Sequence, residues 1–478
     1  MKRHRSPLLS EIRNAPVMSF DRSGTFNLAH LRACVITEPF HDEMNTTTEV
    51  SSIQTSLEGD WASRIESLAA KIQALPPGLR WVHAQEDLIY AQATGKSAFR
   101  GVWTQRANRL MAAARLLHLD LAVSALINLL LLLKLCLAQR QRKTAAPAAT
   151  PLFVGFGAMR EQSLQREFET MAGAPCLRVN ETDLRSFSDL QSVPMKSLIR
   201  EWASTWHYLW KNSCRLGAVD GLSRNDCMSQ LLRFGHAYIY LRAWFRRWLS
   251  TSRRPIAFIV PGLPAAAAVS LGARAIYLNH GLQIRSVVFP DFARVRALTR
   301  WDAEHFRKRI PGCEIEVLQF KRALIESRRV AVIAGDYATP DFGWKEFEMS
   351  RSFIEWARQH DIPVIVRRHA RDDTGYWEQW HGAKGVTVLE PDMAFEPFLE
   401  EMCPRAVVAW TSTALVDALA RGCVAVTLMP DGPMIRNYAF PFREMCVRWP
   451  DQQDLLARLF DDAVLRKDFV AKKIAKLA

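Results

Sequence analysis

Short apolar, β-branched runs that each give way to a helical segment are the feature that most constrains this chain, and they occur in two successive series. The first series contains Leu152-Phe153-Val154-Gly155-Phe156-Gly157, Pro255-Ile256-Ala257-Phe258-Ile259-Val260, Ala275-Ile276-Tyr277-Leu278 and Val295-Arg296-Ala297-Leu298. Helical stretches are predicted at Met159 to Met171, after Pro261-Gly262 up to Leu271, and at Trp301 to Arg309, with aromatic, polar helical material filling Ser197 to Ser250. The pattern restarts at Arg329 to Gly335 and continues through Ile362 to Val366, Val386 to Glu390, Ala406 to Trp410 and Val424 to Leu428. Helices are predicted at Trp344 to His360, Pro397 to Glu401 and Leu415 to Ala420. Strands that alternate with helices imply parallel sheets covered on both faces. The expectation is therefore an α/β chain with two doubly wound parallel-sheet domains, at 151–325 and 326–478, facing each other over a cleft. A last helix from Gln452 to Lys476 is expected to pack back on the first sheet.

A length of 478 residues fits two or three domains. The nine cysteines are scattered with no CxxC pair, which excludes a disulfide framework and a zinc site and suits a reducing cytosol. The formal charge of +14 is spread along the chain, and no nucleic-acid motif accompanies it. No nucleic-acid partner is expected; anionic lipid, a nucleotide-sugar or an acidic polysaccharide suits the charge equally well. Met1-Lys2-Arg3-His4-Arg5 is basic but is followed by mixed, charged sequence, so no secretory signal is read there. Residues 1–110 form an extension of unknown role. Within it Ala33 to Thr37 has strand character, and Trp61 to Leu75 reads as an amphipathic helix stopped by Pro76-Pro77-Gly78.

Residues 111–150 are predicted to hold a hydrophobic helix and a linker. Leu121 to Leu133 carries no charge; Asp120 and Lys134 bracket it, and Leu135 to Ala138 extends it. A full membrane span needs about 20 apolar residues. Arg109 and Arg115 precede the run and Arg140, Arg142 and Lys143 follow it, so the bases assign no orientation. Three placements satisfy the pattern: a span, a helix lying in a cytoplasmic interface with its bases on anionic head groups, and a core helix between domains.

Three segments at strand ends carry the chemistry. Leu278-Asn279-His280-Gly281-Leu282 leaves a histidine and a flexible backbone. Val366-Arg367-Arg368-His369 leaves cations beside a histidine, and Trp410-Thr411-Ser412-Thr413 leaves small hydroxyls at a helix start, with Asp417 one turn in. Open α/β sheets bind ligands at the carboxyl ends of their strands. A departing nucleotide phosphate needs positive charge and hydrogen-bond donors, and an attacking hydroxyl needs a base. Each residue also has a plain structural reading. His280 and His369 suit turn or loop positions, Ser412 and Thr413 a helix cap, and Gly155 and Gly157 a tight turn.

Taken in order, these segments resemble the GT-B transferases, which have two Rossmann-like domains. Within that group the likeness is to bacterial enzymes of surface polysaccharide synthesis: capsule glycosyltransferases, sialyltransferases and glycerophosphotransferases of the teichoic-acid type. The likeness covers about residues 152–460. It implies catalytic roles for His280 and His369. It implies donor-phosphate binding by Arg368, His369, Ser412 and Thr413. Read from the residues themselves, Thr411 shares that turn, Asp417 suits a cap, a hydrogen bond to a nearby loop or the donor ribose, Glu390 suits a ribose, and Gly155, Gly157 and Gly281 suit an acceptor side. Ala370 stands where such chains usually carry proline after the second histidine. Val219-Asp220-Gly221 matches only part of the acidic-acidic-glycine motif of sialyltransferases.

The resulting expectation is a glycosyltransferase, without cofactor or metal, that uses a nucleotide-sugar donor and a polysaccharide or lipid-linked acceptor. It would be cytoplasmic and peripheral at the inner membrane. A glycerol- or polyol-phosphate transferase on the same fold, a nucleotide-sugar epimerase or hydrolase, and a non-catalytic scaffold of polysaccharide assembly are the alternatives.

Overall fold

The computed structural model describes residues 63–83, 113–115, 119–139, 150–155, 160–180, 193–216, 224–252, 254–318, 328–335, 343–369, 372, 375–390, 394–430 and 433–477. Gly157, Asp220, Ala370 and the Ala33 to Thr37 run lie outside them.

Two six-stranded parallel sheets form the molecule. The first contains β1 (Leu152–Gly155), β2 (Leu177–Asn180), β3 (Ile256–Phe258), β4 (Ala275–Leu278), β5 (Arg294–Ala297) and β6 (Glu314–Val317), in the order β2-β1-β3-β4-β5-β6. The second contains β7 (Arg328–Ala334), β8 (Val364–Arg367), β9 (Val386–Leu389), β10 (Pro404–Ala409), β11 (Val424–Thr427) and β12 (Val447–Arg448), in the order β12-β11-β10-β7-β8-β9. This is the expected architecture of two Rossmann-like, parallel-sheet α/β halves. Most interior strands are apolar because helices cover both of their faces; β1 and β11 are buried throughout, whereas β5 alternates half-buried Arg294 and Arg296 with buried Val295 and Ala297. The edge strands β2 and β6 are partly exposed and carry Arg178, Glu314 and Glu316, so no apolar run announces them.

Helices from outside the strand pattern complete the first domain. Residues 63–73 are helical, as the amphipathic run predicts, and beyond the proline stop begins a further helix, Pro77–His83, not expected from the sequence. Gln73 clamps Phe289 through both backbone groups, at 2.9 Å each, and the buried His83 ring lies 3.1 Å from Cys227 Sγ. The Leu-rich segment is one helix, Asp120–Gln139, packed against the helices Met195–Lys211 and Arg224–Thr251. Buried Asn128 donates to Leu231 O at 3.0 Å, and Gly235 leaves the space that its amide fills.

Two expectations about the C-terminus are corrected. The final segment is two helices, Gln453–Asp461 and Ala463–Leu477, separated at Asp462, whose carboxylate accepts from Val464 N and Leu465 N at 2.9 Å each. The last helix buries Val470, Ile474 and Leu477 in the core of the second domain, against the helix Ala414–Ala420, and does not return to the first sheet. Its apolar positions suit either surface; the helix lies within reach of the sheet nearest in sequence.

Candidate functional site

Parallel strands deliver all their carboxyl ends to one edge, and a ligand crevice opens where the strand order reverses direction. In the first sheet that point lies between β1 and β3; in the second it lies between β7 and β10. Gly155 ends β1, and Ile259 follows the end of β3. His280, two residues beyond β4, reaches across to this point, and its Nδ1 donates to Ile259 O at 2.6 Å. A carbonyl only accepts, so Nδ1 carries the proton, and in the neutral ring Nε2 is the basic nitrogen. The ring is half-buried beside the switch point.

The turn that holds His280 is preorganised. Asn279 Oδ1 accepts from Gly281 N at 3.2 Å and from Gln283 Nε2 at 2.5 Å. Gln283 Nε2 also donates to Gly281 O and to the Tyr277 hydroxyl. Gln283 N donates to Asp302, the buried carboxyl that closes a capping box with Thr299 at the start of the helix Arg300–Arg309. Burial pushes the Asp302 carboxyl up to about 6, against the pull of its hydrogen bonds to Thr299 and Gln283. A Cβ at Gly281 would meet nothing, so this glycine leaves open space beside His280. At Gly155 a Cβ would lie 2.5 Å from Glu161 Oε2 and 2.9 Å from the Phe153 ring. Glu161 is buried and paired with Arg178 at 2.9 Å. Close packing therefore accounts for the glycine at Gly155.

At the second switch point, β10 runs into Trp410-Thr411-Ser412-Thr413 opposite Gly335 at the end of β7. Thr411, Ser412 and Thr413 are half-buried. Ser412 Oγ accepts from Ala414 N at 3.2 Å, Thr413 O accepts from Val416 N and Asp417 N, and Asp417 is buried within the helix Ala414–Ala420.

Arg368, His369 and Glu390 sit on the same edge but further out, at the ends of β8 and β9. With β7 between them and adjacent strands about 4.8 Å apart, the end of β8 is about 10 Å from that of β10. Arg368 is held there by Glu390 at 2.8 Å, Glu378 at 3.2 Å and Asp372 O at 3.1 Å. Arg367 instead lies over the rings of Phe395 and Phe398.

The two switch points are joined by a contact that sequence reasoning missed. The loop after β4 crosses to the second domain, where Leu282 is part of the hydrophobic core and Ile284 pairs antiparallel with Tyr438. Arg285 N donates to Asn437 O at 2.6 Å, and Ala439 N donates to Gln283 O at 2.8 Å. The Tyr438 hydroxyl lies 3.2 Å from Thr411 Oγ1. Five residues after His280, Arg285 lines a surface cavity of about 530 Å³ with Glu66, Ser67 and Arg436. Tyr438 bridges the domains, while Phe440 and Phe442 of the same aromatic run are buried. Among the described residues no group of three or more His, Cys, Asp or Glu side chains converges as a metal site would require.

No protein family and no curated protein sequence matches the chain. Solved structures that resemble it include the UDP-GlcNAc 2-epimerase from Neisseria meningitidis bound to UDP-GlcNAc, at 10% identity, 69% of this chain, 95% of that one and a TM-score of 0.42. S. aureus MnaA with UDP aligns at 9% identity over 69% of this chain and 91% of its own, with a TM-score of 0.41. A glycosyltransferase from Rickettsia africae ESF-5 aligns at 8% identity over 69% and 93%, with a TM-score of 0.37. Glycosyltransferases and nucleotide-sugar 2-epimerases are thus both among its structural neighbours, at likenesses too low to choose an activity.

Proposed function

We propose that this chain is a glycosyltransferase that moves a sugar from a nucleotide-activated donor to a hydroxyl of a growing surface polysaccharide or lipid-linked glycan, at the cytoplasmic face of a bacterial inner membrane. One observation carries the reading: a base-bearing residue, His280, and a hydroxyl-bearing turn, Thr411 to Thr413, occupy the switch points of two sheets that Tyr438 links.

In the proposed reaction the donor binds in the second domain and the domains close. The acceptor hydroxyl gives its proton to His280 Nε2 as its oxygen bonds to the anomeric carbon. The bond from that carbon to the phosphate oxygen breaks, and its electron pair leaves with the nucleotide. Hydroxyls and backbone N–H groups of Thr411, Ser412 and Thr413 take up the charge that develops on the phosphate. Arg368, with His369 beside it, forms an outer bank on the donor side, where Arg368 would reach phosphate by exchanging Glu378 or Glu390 for it. Glu390 serves a ribose hydroxyl, Asp417 braces the turn from its buried position, and Gly281 leaves the acceptor side open beside His280. No divalent metal is expected to be required, so turnover would survive chelation.

Thermal-shift binding across CMP, UDP, GDP and CDP, on the full chain and on Ser412→Ala, tests the donor site. Stabilisation by one nucleotide, weakened in the variant, supports the reading and names the donor class. No stabilisation by any of them favours a scaffold. Product analysis with and without acceptor then separates transfer from epimerisation or hydrolysis, and a phosphate retained in the product would indicate a polyol-phosphate transferase.

A further inference from the structure

We infer that the helix Asp120–Gln139 docks this protein flat on an anionic lipid bilayer. This rests on the membrane location proposed above but not on the transfer chemistry. Beside the buried Leu121 and Leu132 the helix also buries polar residues, unlike a soluble surface helix, which turns apolar residues inward and polar ones outward. The polar residues Ser124 and Asn128 are fully buried against the domain, and Asp120 is buried in an ion pair with Arg224 at 2.8 Å. Leucines face out instead: Leu119 is 49% exposed, Leu126 57%, Leu130 56% and Leu137 59%. At about 100° per residue these four fall within about 40° of one another, so they form one stripe along the whole helix.

Charge identifies the occupant. The helix and its neighbour Met195–Lys211 contain one acid each, and both are sequestered: Asp120 by Arg224, and Glu201 by Arg242 and Arg246. The exposed charges on the two helices are the bases Lys134, Lys196, Arg200 and Lys211. The neighbour also exposes Ile199 and Trp210, the latter 64% exposed near its C-terminal end. Leucines for the acyl boundary, tryptophan for the interface and bases for head groups are the three elements of an interfacial anchor.

The same contacts oppose an upright span. The helix is fastened along its length: Asp120 to Arg224, Ala125 O to Trp202 Nε1 at 3.0 Å, and Asn128 to Leu231 O at 3.0 Å. Inserted upright in this arrangement, it would carry Arg224, Arg242 and Arg246 towards hydrocarbon, which is costly. Lying flat, it leaves those residues on the protein side.

Flotation of the full chain with phosphatidylcholine vesicles, and with vesicles that also contain phosphatidylglycerol, tests the inference. Binding is expected to the anionic vesicles, to weaken with salt, and to fall by at least about tenfold in Leu126→Glu/Leu130→Glu, whose sites are exposed and tolerate the change. Lys196→Glu/Lys211→Glu is expected to lose the anionic preference with an unchanged melting temperature. Nucleotide stabilisation is expected to persist in both variants, which separates failure here from failure of the transferase reading. Undiminished vesicle binding by the Leu variant overturns the inference. So does resistance to alkaline carbonate extraction, which would indicate a span. A dimer that the Leu variant dissolves, with no vesicle binding by the native chain, would assign the stripe to a second copy.

Discussion

The Tyr438 hydroxyl lies 3.2 Å from Thr411 Oγ1 while the Tyr438 backbone pairs with Ile284 of the other domain. One residue therefore ties the turn that ends β10 to the loop that begins at His280. The two halves of the candidate site are in register before any ligand binds.

This contact predicts energetic coupling. Tyr438→Phe and Thr411→Val each remove one hydroxyl of a half-buried pair. Each is expected to cost about 0.5–1.5 kcal/mol, and the double variant less than the sum. Denaturant unfolding of the four species measures the coupling; strict additivity would show that the pair contributes nothing.

For His280, the hydrogen bond to Ile259 O predicts a loss of proton transfer rather than of donor binding. His280→Ala is expected to lower kcat by about a hundredfold to ten-thousandfold while leaving nucleotide stabilisation in place. A proportionate rise in KM with kcat unchanged would instead make the histidine a binding residue.

The switch-point geometry ranks the donor-side residues. Thr411→Val and Ser412→Ala are expected to weaken nucleotide binding more than Arg368→Ala, because Arg368 lies two strands away and is already held by Glu378 and Glu390. Isothermal titration of the three variants with the cognate nucleotide decides the order. A larger loss for Arg368→Ala would mean that the ion pairs open on binding and that the outer bank is the phosphate site.

At Gly155 the expected effect is on stability. An alanine there drives its Cβ into Glu161 and Phe153, at a cost of about 1–3 kcal/mol. Calorimetry should show a lower Tm with nucleotide stabilisation retained. An unchanged Tm would mean that Glu161 and Arg178 move aside freely.

Acid should destabilise the fold through its buried histidines. Burial pulls His83 and His236 down to about 4 and His305 to about 3. Groups depressed in this way bind more protons unfolded than folded, so the stability they contribute is complete above about pH 6.5 and is lost as pH falls towards 4. Asp302, raised to about 6, acts in the opposite sense: its contribution is present below about pH 4 and lost as pH rises through 6. With three groups against one, Tm is expected to fall from pH 7 to pH 4.5. A flat or rising Tm over that range would contradict the burial of these rings.

How far the sequence could be read depended on where each strand lies in its sheet. Interior strands such as β1, β3, β10 and β11 appear as apolar runs because both faces are covered. Edge strands β2, with half-buried Arg178, and β6, with exposed Glu314 and Glu316, and the two-residue β12 leave no such trace. His280 and Thr411 to Thr413 were legible as strand-end residues. Arg285, whose Nε donates to Tyr438 O at 3.3 Å, and Tyr438 were not legible as partners, because 153 residues separate them in the chain.

Residue by residue, the sequence determined which segments are buried on two faces. From that followed two parallel α/β sheets and a candidate site at their carboxyl edge, since burial is written locally in apolar periodicity. Strand order, the two switch points, the passage of Leu282 into the opposite core and the outward turn of the Leu-rich helix were decided by tertiary structure. These depend on which distant surfaces meet, and an apolar residue carries no label for its partner. Asn128 illustrates the difference. In sequence it interrupts an apolar helix; in the fold its hydrogen bond to Leu231 O marks the buried side of that helix and turns the leucines outward.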